Sequence, residues 1–221
     1  MVWHALGQRV IRDEVRPVLV TEQGVYDLEL IARVAGKDVA AWDGWVAGGV
    51  GVMIAQWSKV GPALAALAAN VVEAGPKFEP LGTGTKLCEP YRPMRIFATA
   101  SNYVEHAQEM GTVLAAKSES QPFVFMKADS SVIGPDEAII IPDRAEKVDW
   151  EVELGAVIGI GGRDIPVEKA LEHVAAYTVI NDITSRDLTR RTDFPFKFDW
   201  FRGKSFDTIR TVPARRGYMA W

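Results

Sequence analysis

One segment of the sequence reads Val148-Asp149-Trp150-Glu151-Val152-Glu153-Leu154-Gly155-Ala156-Val157-Ile158-Gly159. Its apolar, partly β-branched tail predicts a buried strand. Glu151 and Glu153 are two residues apart, a spacing that puts both carboxylates on one face of a strand. Two like charges on a partly buried face destabilise each other unless a cation lies between them, and a hard divalent cation is the simplest one. An edge strand with both glutamates in water explains the spacing equally well, so the segment alone leaves both interpretations open.

The composition is that of a globular protein and excludes several functional classes. With 221 residues, 48% hydrophobic and 24% charged, the chain can build a sizeable core in one or two domains. A net charge of −4 does not suggest a nucleic acid partner. Cys88 is the only cysteine, which excludes an intramolecular disulfide and a multi-thiolate metal site. No secretory signal or run long enough to span a bilayer is visible, so we expect a cytoplasmic protein that binds no membrane.

The chain divides into two predicted parts. Residues 1–90 predict a small α+β module with a strand-turn-strand unit at 16–28 and an alanine-rich helix at 62–72 that begins at Pro62. This module carries no catalytic motif, and we expect it to pack against the second part or to cover one face of it. Residues 91–221 predict a second domain with strands at 94–100, 122–127, 138–142 and 177–180, a short helix at 104–110 and a helix that starts at Asp164. Strands outnumber helices without regular β-α-β spacing, which predicts a mixed, β-rich α+β fold rather than a doubly wound sheet.

A third acid, Asp182, follows the strand at 177–180, where the chain leaves the predicted sheet. Together with Glu151 and Glu153 it would supply three oxygen ligands, which suit Mg²⁺ or Mn²⁺. An aspartate at such a position is also a common helix N-cap, and for Asp182 taken alone the cap is the better explanation.

A candidate general base and three candidate cations accompany these acids. His106 and Glu109 are three residues apart on a predicted helix, and a carboxylate beside an imidazole raises its basicity, which suits a base acting on water. A solvated surface pair explains that spacing as well. Lys127, Arg186 and Lys204 are ordinary surface charges unless they lie beside a site that binds an anionic substrate.

Six segments, in this order and spacing, resemble the fumarylacetoacetate hydrolase family. They are Asn102-Tyr103-x-x-His106-x-x-Glu109, Phe125-Met126-Lys127, Ser130-Ser131-x-Ile133-Gly134-Pro135, the segment Val148 to Leu154, Tyr177-x-x-x-Asn181-Asp182-x-x-x-Arg186-Asp187, and Arg202-Gly203-Lys204-Ser205-Phe206-Asp207-Thr208. Each is weak alone, and the ordered set from about residue 95 to residue 208 is specific. The resemblance implies a catalytic domain with a rolled, barrel-like β-sheet, usually dimeric, that binds Mg²⁺, Mn²⁺ or Ca²⁺.

The resemblance also implies a role for each matched residue. The implied metal ligands are Glu151, Glu153 and Asp182, the implied catalytic residues are His106, Glu109, Lys127 and Lys204, and the implied substrate-binding residues are Arg186, Tyr103, Ser131 and Thr208. The fumarylacetoacetases of the family have a further ligand aspartate seven residues before the histidine, where this chain has Thr99. The chain is therefore more similar to the acylpyruvase and dioxo-acid hydrolase branch.

The reaction implied by that branch is hydrolysis of a carbon–carbon bond in a 2,4-dioxo acid, such as an acylpyruvate or fumarylpyruvate, through a metal-stabilised enolate. Decarboxylation, isomerisation and hydration of related 2-oxo acids share the enolate step, so the motifs leave these activities open. The aromatic segment 194–201 is expected to lie near the cleft and to shape it.

The resemblance stops after Thr208. Residues 209–221 contain three arginines and no strand alternation, whereas the family continues with several dozen residues of sheet. We therefore expect a foreign tail, from a frameshift or an early stop, that forms no strand. Missing strands would leave unpaired edges and exposed apolar faces, so a non-catalytic remnant is a third hypothesis.

Overall fold

A computed structural model describes residues 2–37, 39–100, 103–109, 111, 113, 115–116, 118–207, 212–213 and 218–220. The α-helices are α1 (Leu28–Val34), α2 (Val39–Ala55), α3 (Trp57–Ala74), α4 (Val104–Glu109) and α5 (Trp200–Lys204). The strands are β1 (His4–Ile11), β2 (Glu14–Thr21), β3 (Gly24–Asp27), β4 (Ile96–Ala100), β5 (Phe123–Lys127), β6 (Val148–Asp149), β7 (Val152–Ile158), β8 (Val174–Asn181), β9 (Thr184–Ser185), β10 (Val212–Pro213) and β11 (Tyr218–Ala220). Short 3-10 helices occupy Gly75–Lys77, Asp129–Ser131 and Val167–His173.

The largest sheet joins strands from both ends of the chain. Its order is β10-β8-β11-β1-β2-β3, and β7 pairs with the other side of β8. β1 and β2 form a hairpin whose two loop residues, Arg12 and Asp13, have φ angles of 50° and 66°. Positive φ at both positions is typical of the tight turn whose twist matches that of paired strands. β4 pairs with β5, and β6 pairs with β9, in two separate small sheets.

The main core lies between the first three helices and the large sheet. Leu64, Leu67 and Val71 of α3 are fully buried there, together with Ala175 and Ala176 of β8. α2 bends at Gly49, where a φ of 71° interrupts the helical backbone. The expectation that the first 90 residues pack against the second part is therefore confirmed. The division into domains at residue 90 stays a prediction.

No single helix in the described part of the chain is long and apolar enough to cross a membrane. The pair formed by residues 40–55 and 57–77 passes that test of length and composition together, although the two helices are bent by 117° from each other. Most of the apolar side chains of this pair belong to the core described above.

The predicted β-rich α+β fold is confirmed, with corrections in individual elements. Helix α3 begins at Trp57, not at Pro62, because burial of Trp57 and Val60 extends the apolar face by a turn. Residues 167–173 form a 3-10 helix with Leu171 exposed, since Val174 and the residues after it pair with β7 instead. Within the described residues none of the sheets closes into a barrel.

Three predictions about strands were wrong. Residues 138–142 form no strand, and Ile140 and Ile141 are exposed. β7 is not buried throughout, because Val152, Leu154 and Ile158 project from its exposed face. Exposed apolar faces had been predicted on separate grounds, because strands that the family has after residue 208 were expected to be missing. The tail forms strands after all, since β10 and β11 pair with β8, and β11 also pairs with β1.

Candidate functional site

The three predicted acidic ligands meet at one end of the β7–β8 pair. Val152 of β7 lies opposite Asn181 of β8, and the backbone N–H of Asp182 donates to the carbonyl of Glu151 at 2.8 Å. This antiparallel register places the start of one strand beside the end of the other. Glu151, Glu153 and Asp182 therefore come together although two of them are about thirty residues from the third in sequence.

Lys204 joins two of these carboxylates. Its ammonium donates to Oε2 of Glu151 at 2.5 Å, to Oδ2 of Asp182 at 2.8 Å and to the hydroxyl of Thr184 at 2.6 Å. An ammonium has three N–H donors, so this arrangement uses all of them. The Lys204 side chain is 6% exposed, which makes the acceptors necessary for a buried charge.

Lys127 lies on the opposite side of Asp182. It is buried at the end of β5, and its ammonium donates to Oδ1 of Asp182. Burial lowers the pKa of Lys127, while the charge of Asp182 and the hydrogen bond to it act in the other direction. Among the described residues this is the one hydrogen-bond acceptor for Lys127, so two of its three N–H groups remain for a ligand.

Glu153 carries negative charge that its surroundings do not fully compensate. Its pKa is raised, first by partial burial and then by the charges of Glu151 and Asp182. A hydrogen bond with the side chain of Tyr103 and the charge of Lys204 oppose that rise. Tyr103, predicted to bind substrate, therefore reaches the site.

Short-range contacts around α5 hold Lys204 in place. Asp199 caps the helix by accepting from the backbone N–H of Arg202 at 3.0 Å. Gly203 lies so close to the neighbouring loop that a Cβ would stand 2.4 Å from Cγ2 of Thr189. Ser205 accepts from the backbone N–H of Ala128 at 3.1 Å, which ties the end of α5 to the end of β5.

Two other predicted substrate-binding residues make contacts within the protein. Arg186 pairs with Oε1 of Glu151 at 2.6 Å and with Oδ2 of Asp149 at 3.0 Å, so it holds Glu151 from the side away from Lys204. Ser131 is fully buried, and its hydroxyl donates to the carbonyl of Ala128 at 2.5 Å. Their predicted roles toward substrate stay predictions.

The predicted catalytic dyad lies on α4. The backbone of α4 is described and confirms the short helix predicted there, but the side chains of His106 and Glu109 lie outside the described residues, as does Thr208. Sequence reasoning missed Thr184 and Gly203 as functional positions. Both lie inside the matched segments. Their roles follow only from tertiary contacts, the hydrogen bond of Thr184 to Lys204 and the close packing of Gly203 against Thr189.

A broad cleft opens above the site. Its lining includes Glu151, Glu153, Asp182, Lys127 and Lys204 on one side. Aromatic residues that line the same cleft include Phe97, Phe125, Phe198 and Trp200. The expectation that part of the segment 194–201 shapes the cleft is confirmed, since Phe198 and Trp200 belong to it.

Residues 95–214, more than half of the chain, match the family model described as fumarylacetoacetate (FAA) hydrolase, C-terminal. The chain belongs to the fumarylacetoacetate hydrolase family. The match reaches six residues beyond Thr208, so the family resemblance extends further than expected from the motifs.

The relatives of this family member have several different names. The human mitochondrial oxaloacetate tautomerase FAHD2A is 33% identical over 154 residues, which are 70% of this chain and 47% of that protein. The chain spans about half the length of the curated relatives it matches.

Solved structures share the fold. Fumarylacetoacetate hydrolase from Exiguobacterium antarcticum matches 98% of this chain and 66% of its own, with a TM-score of 0.69 and 25% identity. A 5-carboxymethyl-2-hydroxymuconate delta-isomerase from Mycobacterium smegmatis matches 64% of this chain and 49% of its own, with a TM-score of 0.51 and 29% identity.

The functional groups of Glu151, Glu153 and Asp182 are suitable ligands for a divalent cation. All three are carboxylates, the oxygen ligands that Mg²⁺ and Mn²⁺ prefer, and the charges of Glu151 and Asp182 contribute to the raised pKa of Glu153. In the conformation described, no three His, Cys, Asp or Glu side chains among the described residues are arranged to hold a metal ion. Instead, the ammonium groups of Lys127 and Lys204 lie on the oxygens of Asp182. The assignment of Glu151, Glu153 and Asp182 as ligands stays a prediction.

Proposed function

We propose that this family member is an enzyme that binds a 2-oxo acid in the cleft and promotes reaction through its enolate, with hydrolysis of the carbon–carbon bond of a 2,4-dioxo acid as the first candidate activity. The observation that carries the proposal is the difference in hydrogen bonding between the two buried lysines. Lys204 is held by three protein acceptors, whereas Lys127 has donors to spare and faces the same carboxylates.

Lys204 acts on the protein rather than on the substrate. Its ammonium neutralises Glu151 and Asp182 and holds their carboxylates at fixed positions. Arg186 supports the same carboxylate of Glu151 from its other oxygen. The result is a rigid set of acidic oxygens at the floor of the cleft, which is what precise positioning of a charged ligand requires.

Lys127 donates to the substrate in this proposal. When the bond between C3 and C4 of a 2,4-dioxo acid breaks, negative charge develops on the oxygen of the 2-oxo group. A buried ammonium with free N–H groups stabilises that oxygen more strongly than water does, because the surroundings are less polarisable and the donor is already oriented.

Glu151, Glu153 and Asp182 would hold a divalent cation, which would supply Lewis acidity and positive charge for an acidic 2-oxo substrate. His106, supported by Glu109, takes the proton of the attacking water in the same proposal. Attack of that water at C4 releases a carboxylic acid, and the proton returns to C3 to give a 2-oxo acid such as pyruvate.

A second candidate is keto–enol tautomerisation of a 2-oxo acid. It is favoured by the name of the human relative, an oxaloacetate tautomerase, which covers 70% of this chain. The two activities share the enolate and differ in whether water attacks a second carbonyl. The same buried lysines serve both.

The decisive experiment is a substrate panel with Mg²⁺ and with Mn²⁺. Acetylpyruvate cleavage is followed as pyruvate release, and oxaloacetate tautomerisation as the loss of enol absorbance without pyruvate release. We expect Lys127→Met to lower kcat/KM by about 10²–10³-fold, the effect of removing one oxyanion donor. Lys197→Met, at an exposed lysine, is the matched control. If Lys127→Met matches the control, or neither reaction occurs, the proposal is overturned.

A further inference from the structure

An aromatic cluster lies beside the charged end of the cleft. The Trp200 ring stacks on Phe198, with centroids 5.3 Å apart and an angle of 20° between the planes. Phe123 meets the same indole edge-on at 4.4 Å, and Phe125 lies 5.6 Å from it. The rings support one another in the geometries that aromatic pairs prefer. Trp200 and Phe125 are half-buried, and Phe198 is 52% exposed.

The cluster is continuous with Lys204, the lysine that holds Glu151 and Asp182. Trp200 is the first residue of α5 and Lys204 is the last, so one short helix carries both. The Lys204 ammonium lies 5.7 Å from the centroid of the Phe125 ring while it bonds Glu151 and Asp182. An acid head bound at Lys127 would therefore place the rest of the ligand beside the aromatic rings that line the same cleft.

We infer that Phe125, Phe198 and Trp200 form a subsite for a planar apolar group, specifically an aryl ring on the acyl end of the 2-oxo or 2,4-dioxo acid substrate. This inference rests on the proposed function, because it assumes that the acid head binds at Lys127 and the carboxylates. Three exposed or half-exposed rings offer a face for stacking and little for hydrogen bonding.

An anionic acyl group is the alternative ligand for this end of the cleft. The guanidinium of Arg190 lies 5.9 Å from the centroid of Phe198, so a cation is present at the outer edge. It faces solvent, where attraction of a second carboxylate is weak. Phe125, Phe198 and Trp200 line the cleft as three neighbouring rings, whereas Arg190 is an exposed cation. The aryl group is therefore favoured.

Three 2-oxo acids with the same head separate these ligands, and none of them has a 4-oxo group to be cleaved. They are 2-oxobutanoate, 2-oxo-4-phenylbutanoate and 2-oxoglutarate, whose fourth carbons carry hydrogen, phenyl and carboxylate. Their Kd values are measured by calorimetry on the whole chain with Mg²⁺ present. We expect the phenyl compound to bind about tenfold more tightly than 2-oxobutanoate.

Variants test whether the rings cause this preference. Phe198→Ala and Trp200→Ala should reduce the tenfold ratio to about threefold or less. Phe194→Ala is the matched control, because Phe194 is an exposed ring of the same segment that stacks on Phe196 outside the cleft. Phe198 is half-exposed, so its variant keeps the test valid if Trp200→Ala does not fold.

Each outcome has one meaning. If all three acids bind with similar Kd, or 2-oxoglutarate binds most tightly, the aryl subsite is overturned and the proposed function stands. If the phenyl preference survives in Phe198→Ala and Trp200→Ala, the subsite lies elsewhere. If none of the three acids binds, the proposed function fails, and the subsite fails with it.

Discussion

Lys204 and Glu151 are 53 residues apart in the sequence, yet the ammonium of one lies 2.5 Å from Oε2 of the other. The contact is buried, and Asp182 and Thr184 complete the surroundings of the same ammonium. It links helix α5 to the start of β7. Lys204 is therefore one of the side chains, with Arg186 and Lys127, that hold the carboxylates of the site.

Replacing Lys204 by methionine should lower the free energy of unfolding by about 1.5–3 kcal/mol, because buried Asp182 and partly buried Glu151 lose a charged hydrogen-bond donor. The loss is no larger because Lys127 and Arg186 still pair with these carboxylates. Urea denaturation measures the change, and Lys197→Met is the control, since Lys197 is exposed on the neighbouring segment. Equal midpoints for the two variants would contradict the role of Lys204.

Thr184→Val tests the third acceptor of the Lys204 ammonium. The hydroxyl is fully buried, so its loss should cost about 1–3 kcal/mol. Thr184→Ser keeps the hydroxyl and should retain most of the stability. A Thr184→Val midpoint at or above that of Thr184→Ser would contradict this role of the hydroxyl.

Gly203→Ala should destabilise the protein by about 1–3 kcal/mol, because the added methyl would lie 2.9 Å from the backbone nitrogen of Thr189 and 3.0 Å from the carbonyl of Ser185. Gly161→Ala is the control, since nothing lies within 4 Å of the position of its Cβ. Thermal melting of both variants checks this, and a Gly203→Ala midpoint equal to that of the control would refute the packing argument.

Glu153→Gln should raise the melting temperature of metal-free protein at neutral pH and reduce the further rise caused by Mn²⁺. The pKa of Glu153 in the folded state is raised above its ordinary 4.5, so its ionised form opposes folding. The wild type therefore loses stability as the pH rises from 4.5 through the pKa of Glu153 in the folded state. Below pH 4.5 Glu153 is mostly protonated in both states, so the Gln variant has little advantage there. A cation that binds only the folded site must raise the midpoint.

Melting curves at pH 4 and pH 7, with and without Mn²⁺, provide the check for Glu153. A variant that is no more stable than wild type at pH 7, or that keeps the full Mn²⁺ effect, would speak against the ligand assignment.

The thiol of Cys88 should react slowly with iodoacetamide at pH 8. Half-burial, followed by the charge of Glu89, raises its pKa to about 11, so the nucleophilic thiolate is scarce below that pH. The labelling rate, measured by mass spectrometry, should increase as the pH approaches 11. Protein unfolded in urea is the control and should react faster at pH 8, and equal rates in the two states would contradict the expected protection.

Local patterns predicted much of the chain correctly. The strands at 96–100 and 123–127 and the helix at 104–109 were expected, because their apolar spacing and flanking turns are local properties. The failures share a cause. The isoleucines at 139–141 have high strand propensity, but a strand also needs a partner, and the described residues provide none there.

In the site, too, the residues were indicated by the sequence, whereas their tertiary contacts were not. Glu151, Glu153, Asp182, Lys127 and Lys204 were all recognised from ordered motifs, and the structure brings them together. The distinction between the two lysines was not visible in the sequence, because it depends on which acceptors surround each ammonium. Thr184 and Gly203 were overlooked for the same reason, since a buried hydroxyl or a missing Cβ acquires meaning only through its neighbours.

The sequence by itself determined the family, the β-rich fold and the identity of the charged residues, because these follow from the order and spacing of residue types along the chain. Only the tertiary structure decided how those charges are paired. The register of β7 against β8 sets the distances between carboxylates, and the packing of Gly203 sets the position of Lys204. Coulombic interaction depends on distance and burial, and neither is a property of the linear sequence. For that reason Glu151-Val152-Glu153 was open to two interpretations as a sequence, and the structure makes it the floor of a charged cleft.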